Sequence, residues 1–320
     1  MIRITVVGGY PKTIGDQKLR RALREADRQG PAELDRIYQE VTRLTMEEQA
    51  GLGLDLISDG CLRWDDEVTY LIRGLSGVTL DGLVRFFDTN VDYRKPIARG
   101  KVSWTGPILA DDFQFAGSCS PVPVKVVVTG PFTLSKLSSA PAYSREENYL
   151  QDLSTALNAE LLTLQSQGVK FLHVNEPAIL QHPEEMPRFQ RAMKRLFEGV
   201  RVSTTLYVYF GDATPVFDHL LDLPVEEVGF DFTYTPDATR LLKGRSLERR
   251  FLAGLMDARN TRLESRDEIF RNLENILASV KPASLSVSPS ANLEFLPLDR
   301  CRNKVRNFVK LLREFEGVQG

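Results

Sequence analysis

Val169-Lys-Phe-Leu-His-Val-Asn-Glu-Pro177 is the stretch on which the reading of this chain turns. Val169 to Val174 is mostly apolar and lies between Gly168 and Pro177. That pattern predicts a short, buried strand. Asn175 and Glu176 stand at its carboxyl end. An ionisable group in that place is costly unless it faces a cavity or finds partners. Working outward, other apolar segments end the same way, in a small polar cluster.

Ile2–Val7 precedes Gly8-Gly-Tyr-Pro-Lys12, and Leu54–Ile57 precedes Ser58-Asp-Gly60. Val124–Val128 runs into Thr129-Gly-Pro131, and Val202–Tyr209 is followed by Gly211-Asp212. Val225–Phe230 ends at Asp231, Phe251–Met256 at Asp257-Ala-Arg-Asn260, and Ser284–Val287 at Ser288-Pro289. Helical patterns separate most of them, including Lys18–Gln29, Pro31 to about Ala50, Arg145–Gln167, Arg266–Val280 and Leu298–Phe315. Eight short strands alternating with helices argue for a parallel sheet with helical crossovers. At this length they predict a single α/β domain over residues 1–320, a (β/α)8 TIM barrel. An open doubly wound sheet is the alternative, disfavoured because no G-x-G-x-x-G follows the first strand. An insertion, approximately 60–122, follows the second strand and reads as partly extended, with hairpin character around Arg85–Pro96.

The chain has 320 residues, 42% of them hydrophobic, which is ample for a large core. A formal net charge of −2 argues for neither a nucleic acid nor a membrane surface as partner. No apolar run approaches the ~18 residues of a membrane span. The start Met-Ile-Arg-Ile-Thr-Val-Val7 leads directly into a strand, so a cytoplasmic location is expected. Cys61, Cys119 and Cys301 are far apart, and the histidines are His173, His182 and His219. This is poor material for disulfides or for a Cys/His metal site.

Active sites of (β/α)8 barrels lie at the carboxyl ends of the strands. There the sequence offers Asp59, Glu176, Asp231 and Asp257, with the cations Lys12, Arg63 and Arg259. Asn175, Tyr207 and Tyr209 add hydrogen-bonding capacity. Glu176, Asp231 and Asp257 are the candidate catalytic acids. The set suits a small ligand able to form charge-assisted hydrogen bonds. Bland roles compete at several positions: helix caps for Asp231 and Asp257, and a satisfied core histidine for His173.

In this order the motifs resemble the cobalamin-independent methionine synthase family. They are Val7-Gly-Gly-Tyr-Pro-Lys12, Arg85-Phe-Phe-Asp-Thr-Asn-Val-Asp-Tyr93 and Val128-Thr-Gly-Pro-Phe-Thr133. They continue with His173-Val-Asn-Glu-Pro177, Thr205-Leu-Tyr-Val-Tyr-Phe-Gly211, Gly229-Phe-Asp-Phe232, Gly254-Leu-Met-Asp-Ala-Arg-Asn260 and Ser286-Val-Ser-Pro-Ser290. The Asp-Thr-Asn, Tyr-Phe-Gly and Asp-Ala-Arg-Asn pieces are similar to the family's amino-terminal barrel. That resemblance implies methyl transfer for methionine biosynthesis, with methyl-tetrahydrofolate as co-substrate. It implies that Lys18, Arg20 and Arg85 meet the folate's anionic tail, although Gln17 stands where the family has an arginine. The family's zinc ligands correspond to Tyr207, Tyr209, Asp231 or Phe232, and Ser290-Ala291, so zinc is not expected here. A separate zinc-bearing barrel is then the expected partner. Two alternatives stand beside this: a metal-independent lyase or decarboxylase working through its carboxylates, and a non-catalytic partner of a zinc-bearing barrel.

Overall fold

The structure, a computed structural model, describes residues 1–15, 17–25, 28, 30–235, 237–281 and 284–319, without the side chains of residues 18, 19, 20, 23 and 319. Seven parallel strands form one curled sheet: β1 (Arg3–Ile4), β4 (Val126–Thr129), β5 (Phe171–Asn175), β6 (Ser203–Val208), β7 (Glu227–Asp231), β8 (Arg250–Met256) and β9 (Leu285–Pro289). Their order is β1-β9-β8-β7-β6-β5-β4. A separate antiparallel hairpin, β2 (Leu75–Arg85) and β3 (Asp92–Trp104), lies inside the expected insertion, so its extended character holds. The insertion also carries two helices that periodicity did not single out, α3 (Thr69–Arg73) and α4 (Ala110–Cys119).

The sequence pattern calls for eight strands, and the sheet has seven. The missing one is Leu54–Ile57, reduced to isolated bridges, Thr5 with Leu56 and Ile57 with Val124. The reason is local. Asp55 turns its carboxylate onto the Ile4 amide at 2.7 Å and is held there by Arg313 at 2.7 Å. Thr5 Oγ1 donates to the Leu56 carbonyl at 2.7 Å. Side-chain bonds thus replace part of the ladder that a regular strand would make. Even so, the segment reaches both edges of the sheet, since the Asp55 amide donates to the Ile4 carbonyl and the Lys125 amide to the Ile57 carbonyl, each at 2.8 Å.

The helices follow from caps and apolar stripes. α2 (Pro31–Gly51) has proline in its first turn, where the missing N–H costs nothing, and buries Ile37, Val41 and Met46. α6 (Glu146–Ser166) buries Leu150, Leu153, Leu157, Leu161 and Leu164, a 3.6-residue stripe. α10 (Arg266–Leu277) is capped by Ser265, whose hydroxyl accepts the Glu268 amide. α1 spans Gln17–Arg24, and residues 26, 27 and 29 of the expected Lys18–Gln29 lie outside the described residues. No helix among the described residues is long and apolar enough to cross a membrane.

Candidate active site

Side chains from alternate positions fill the concave face of the sheet in layers. At its amino end Glu227 accepts from Thr205 Oγ1 at 2.7 Å and Ser286 Oγ at 2.6 Å. Above it, Lys125 Nζ contacts His173 Nδ1 at 3.0 Å, and His173 Nε2 contacts Asn175 Oδ1 at 3.1 Å. A column of rings continues upward. His173 lies 5.7 Å from Tyr207, Tyr207 stacks on Tyr209 at 5.8 Å, and Tyr209 meets Phe210 edge-on at 4.5 Å. Phe295 completes it, 5.8 Å from Phe210.

Glu176 follows β5 directly and is fully buried. Its carboxylate accepts from the Phe132 amide at 3.0 Å, the Thr133 amide at 2.7 Å and Thr133 Oγ1 at 2.6 Å. These are the first free amides of the six-residue helix α5 (Pro131–Lys136), so the acid caps that helix. Gly130 must be glycine for this: a Cβ there would sit 2.2 Å from Glu176 Oε1. Burial pushes the Glu176 carboxyl up to about 7, against the downward pull of the Thr133 and Phe132 donors.

Asp231, at the end of β7, receives the Thr233 amide and hydroxyl on Oδ1, both at 2.7 Å. Its Oδ2 is buried without a partner. Burial pushes this carboxyl up to about 7 as well, and the charge of Asp257 adds to the shift. Asp257 itself ties its own loop. Oδ1 accepts the Arg259 amide at 2.8 Å, and Oδ2 accepts the Asn260 side chain. Asp59 is set apart from these, in a small cavity beneath α4 with Trp64, Asp112 and Lys125. Burial, then the Asp112 charge, lift it to about 6. Each of the four acids ends or follows a strand or the bridged segment 54–57, and among them it is Asp257 whose charge acts on Asp231.

Arg85 and Arg259 come together from the hairpin and the β8 loop. With Glu294, Phe295 and the 88–91 turn they line a cavity of about 450 Å³. The Arg259 guanidinium sits 5.1 Å from the Phe210 ring and 5.0 Å from the Tyr234 ring, and bonds the Tyr234 hydroxyl and the Asp88 carbonyl. Two aromatic residues behind the lining are strained: Phe87 at φ 50° and Phe210 at φ 67°, their rings 5.8 Å apart. Non-glycine residues there cost roughly 1–2 kcal/mol each. Such strain gathers at functional sites. The side chains of Lys18 and Arg20 lie outside the described residues.

Sequence reasoning missed a buried acid beside the column of rings. Glu67 accepts from Tyr209 at 2.9 Å on Oε2 and from the Asn292 amide nitrogen on Oε1. Asn292 is itself oriented by the Gly9 amide, which donates to its Oδ1 at 2.9 Å. Burial, and then the charge of neighbouring Glu294, push Glu67 up to about 8; Glu294 is raised too. Glu67 ends the run Trp64-Asp-Asp-Glu67, which looks like a solvated loop in sequence. Lys125, also missed, did leave a signal: a lysine inside the apolar run Val124–Val128.

At the positions that the resemblance pairs with the family's metal ligands, Tyr209 donates to Glu67 and Tyr207 to the Ser290 carbonyl at 3.0 Å. Burial drives both phenols well above their ordinary range. Oxygen groups of this kind, protonated and engaged, are unlike the thiolate and imidazole sets that hold zinc.

Residues 2–314 match the family described as "Cobalamin-independent synthase, Catalytic domain". The match is thus to the catalytic domain, whereas the motif likeness pointed to the amino-terminal barrel. The chain is 30% identical to a methionine synthase of Sulfolobus acidocaldarius, over 96% of this chain and 90% of that protein. It is 26% identical to one of Saccharolobus solfataricus, over 98% and 96%. In fold it is similar to a B12-independent methionine synthase from Shewanella sp. W3-18-1 solved with selenomethionine, at a TM-score of 0.84 and 20% identity, covering 100% of this chain and 98% of that one. A methyltransferase from Methanosarcina mazei follows at 0.67 and 13%, covering 98% and 94%. The chain belongs to the cobalamin-independent methionine synthase family, methyltransferase-like enzymes of methionine biosynthesis.

Proposed function

We propose that this protein binds a methylated reduced folate, or a donor with the same pairing of flat ring and anionic tail, and serves methyl transfer for methionine biosynthesis. One observation carries the reading: Arg85 and Arg259 face one cavity of about 450 Å³ at the carboxyl end of the sheet, beside Phe295. Guanidinium groups suit the carboxylates of such a tail, and an aromatic wall suits the ring. Lys18 and Arg20 would extend the tail site, following the family likeness. Asp257 aims the Arg259 loop, Glu176 holds α5, and Asp231 keeps one oxygen unengaged for substrate. Asn175, Asp59, Tyr207 and Tyr209 complete the set.

The donor groups at Tyr207, Tyr209, Asp231 and Ser290 do not fit zinc, so thiol activation falls to a separate zinc-bearing barrel. A closed eight-stranded barrel is part of the same proposal, supported by the bridges that residues 54–57 make to both sheet edges.

Calorimetric titration with 5-methyltetrahydropteroyltriglutamate tests the reading. Wild-type protein should bind, and Arg85→Ala should weaken binding about tenfold, as expected for loss of one charged hydrogen-bonding partner. Arg85 is exposed, so this variant keeps its fold. Absence of binding at high micromolar concentration overturns the proposal.

One observation favours a second reading, a metal-independent acid–base enzyme. Glu67, raised to about 8, carries a proton at neutral pH beside the cavity acid Glu294. A carboxyl in that state is a general acid. Turnover lost in Glu67→Gln but indifferent to chelators would decide for it.

A further inference from the structure

Three polar side chains lie in a row inside the sheet where apolar ones would be cheaper: Lys125, His173 and Asn175, exposed to 2%, 1% and 1%. We infer that they are a recognition device: Asn175 is a specificity-determining donor that takes a carboxylate oxygen of the ligand, and Lys125 and His173 are positioning residues that fix which end of its amide is offered.

The order of donors follows from the contacts. Lys125 Nζ donates to the Val6 carbonyl and lies 3.0 Å from His173 Nδ1. A lysine donates to Nδ1 whether its amine is charged or neutral, and only a neutral amine could accept from it. Burial lowers the Lys125 amine to about 7; below that value the amine is charged, Nδ1 is the acceptor, and the ring proton sits on Nε2. Nε2 then donates to Asn175 Oδ1 at 3.1 Å. The amide oxygen is thereby turned inward, and Nδ2 is left as the free end. Nδ2 is buried, and nothing in the protein accepts from it. Burial and the nearby Lys125 hold His173 well below its ordinary range, so the ring stays neutral, and the charged amine fixes its tautomer.

An unmet buried donor is destabilising, and an acceptor from a ligand removes that cost. The carboxylate is preferred over a neutral carbonyl because a charge-assisted bond is stronger and because the Lys125 amine stands behind the relay. Nδ2 has no contact with solvent in this structure, so the ligand enters by displacing a neighbour. Tyr207 lies directly opposite Asn175 in the β5–β6 register. An Asp in place of Asn175 would present an acceptor to an acceptor, which makes the position a selector of sign rather than of size.

The choice of probes rests on the methyl-transfer reading, while the orientation of the relay does not. Nitrogen-15 NMR of histidine-labelled protein reads the His173 tautomer directly. The proton should be on Nε2 in wild-type protein, and the single-tautomer signature should be lost in Lys125→Met. A proton on Nδ1 overturns the inference. 5-Methyltetrahydropteroyltriglutamate and 5-methyltetrahydropterin, its analogue without the carboxylates, are then titrated into wild-type protein, Asn175→Asp and Lys125→Met. Asn175→Asp should weaken the triglutamate at least about tenfold and leave the pterin unchanged. Lys125→Met should weaken the triglutamate by less, again sparing the pterin. Equal effects on both probes reduce the relay to a structural role and overturn the assignment. If wild-type protein binds neither probe, the functional reading and the carboxylate assignment both fail. The tautomer result stands apart from that outcome.

Discussion

Replacing Glu176 by glutamine exchanges one carboxylate oxygen for an NH2 group. The acid receives one donor on Oε1 and two on Oε2. Glutamine can keep its oxygen on the Thr133 side, which turns its NH2 onto the Phe132 amide. One hydrogen bond is lost and a buried N–H is left unmet. A bond to a charged group contributes about 1.5–3 kcal/mol and an unmet buried donor costs about 1–3 kcal/mol; relief of the buried charge offsets part, leaving about 2–4 kcal/mol net. With ~2.1 cal/mol/K of unfolding entropy per residue and 320 residues, each kcal/mol moves Tm by about 1.5 °C. The expected loss is therefore about 3–6 °C. The pH dependence carries a sign as well. The folded Glu176 carboxyl is raised to about 7. Its unfolded value lies near ~4.3, so the stability linked to its protonation is complete below that value and is lost as pH rises through the folded one. Glutamine does not titrate. The gap between wild-type and variant should thus be larger near about pH 5 than near about pH 8. Denaturant midpoints at the two pH values measure it. A gap that is constant, or that widens with pH, refutes the reasoning.

Three further outcomes follow from the same structure. Gly130→Ala forces a methyl to within 2.2 Å of Glu176 Oε1, and should cost about 1–3 kcal/mol or more in denaturant unfolding as an overpacked site. Glu67, raised to about 8 by burial and Glu294, makes its contribution in the protonated form and loses it as pH rises through that value. Glu67→Gln should therefore melt at a higher temperature than wild-type protein near about pH 9, with the advantage about halved near about pH 6 and gone near about pH 4. Lys304 and Glu264 form a buried pair at 2.8 Å. Lys304→Met alone should cost about 3–5 kcal/mol by equilibrium unfolding, and adding Glu264→Leu should recover most of it.

Much of this architecture is written in local patterns, and much of the site is not. The stripe of leucines in α6 and the apolar runs of β5 to β8 carry their own periodicity, so tertiary packing only confirms them. Leu54–Ile57 carries the same apolar signal but loses its ladder to Asp55 and Thr5, a competition between side chain and backbone invisible in hydropathy. The acids after β5, β7 and β8 were found because strand ends are places where chemistry collects. Their differing roles were hidden. Glu176 becomes a cap because α5 begins beneath it, which depends on a contact across 43 residues. Glu67 is harder still. Its partners Tyr209 and Asn292 are 142 and 225 positions away, and nothing near it distinguishes it from Asp65. The Lys18 and Arg20 expectation falls on side chains outside the described set.

The hairpin of β2 and β3 has a consequence for how such a protein can change. It hydrogen-bonds as its own two-stranded sheet, and its tip supplies Arg85 and the 88–91 wall of the cavity. The strands of the curled sheet gain no ladder partner from it. Exposed positions at that tip, such as Arg85, Asp88 and Asn90, can change while Phe86 and Tyr93 keep it anchored in the core. Selection for a new ligand would find its cheapest variation there, at the lip rather than in the vessel.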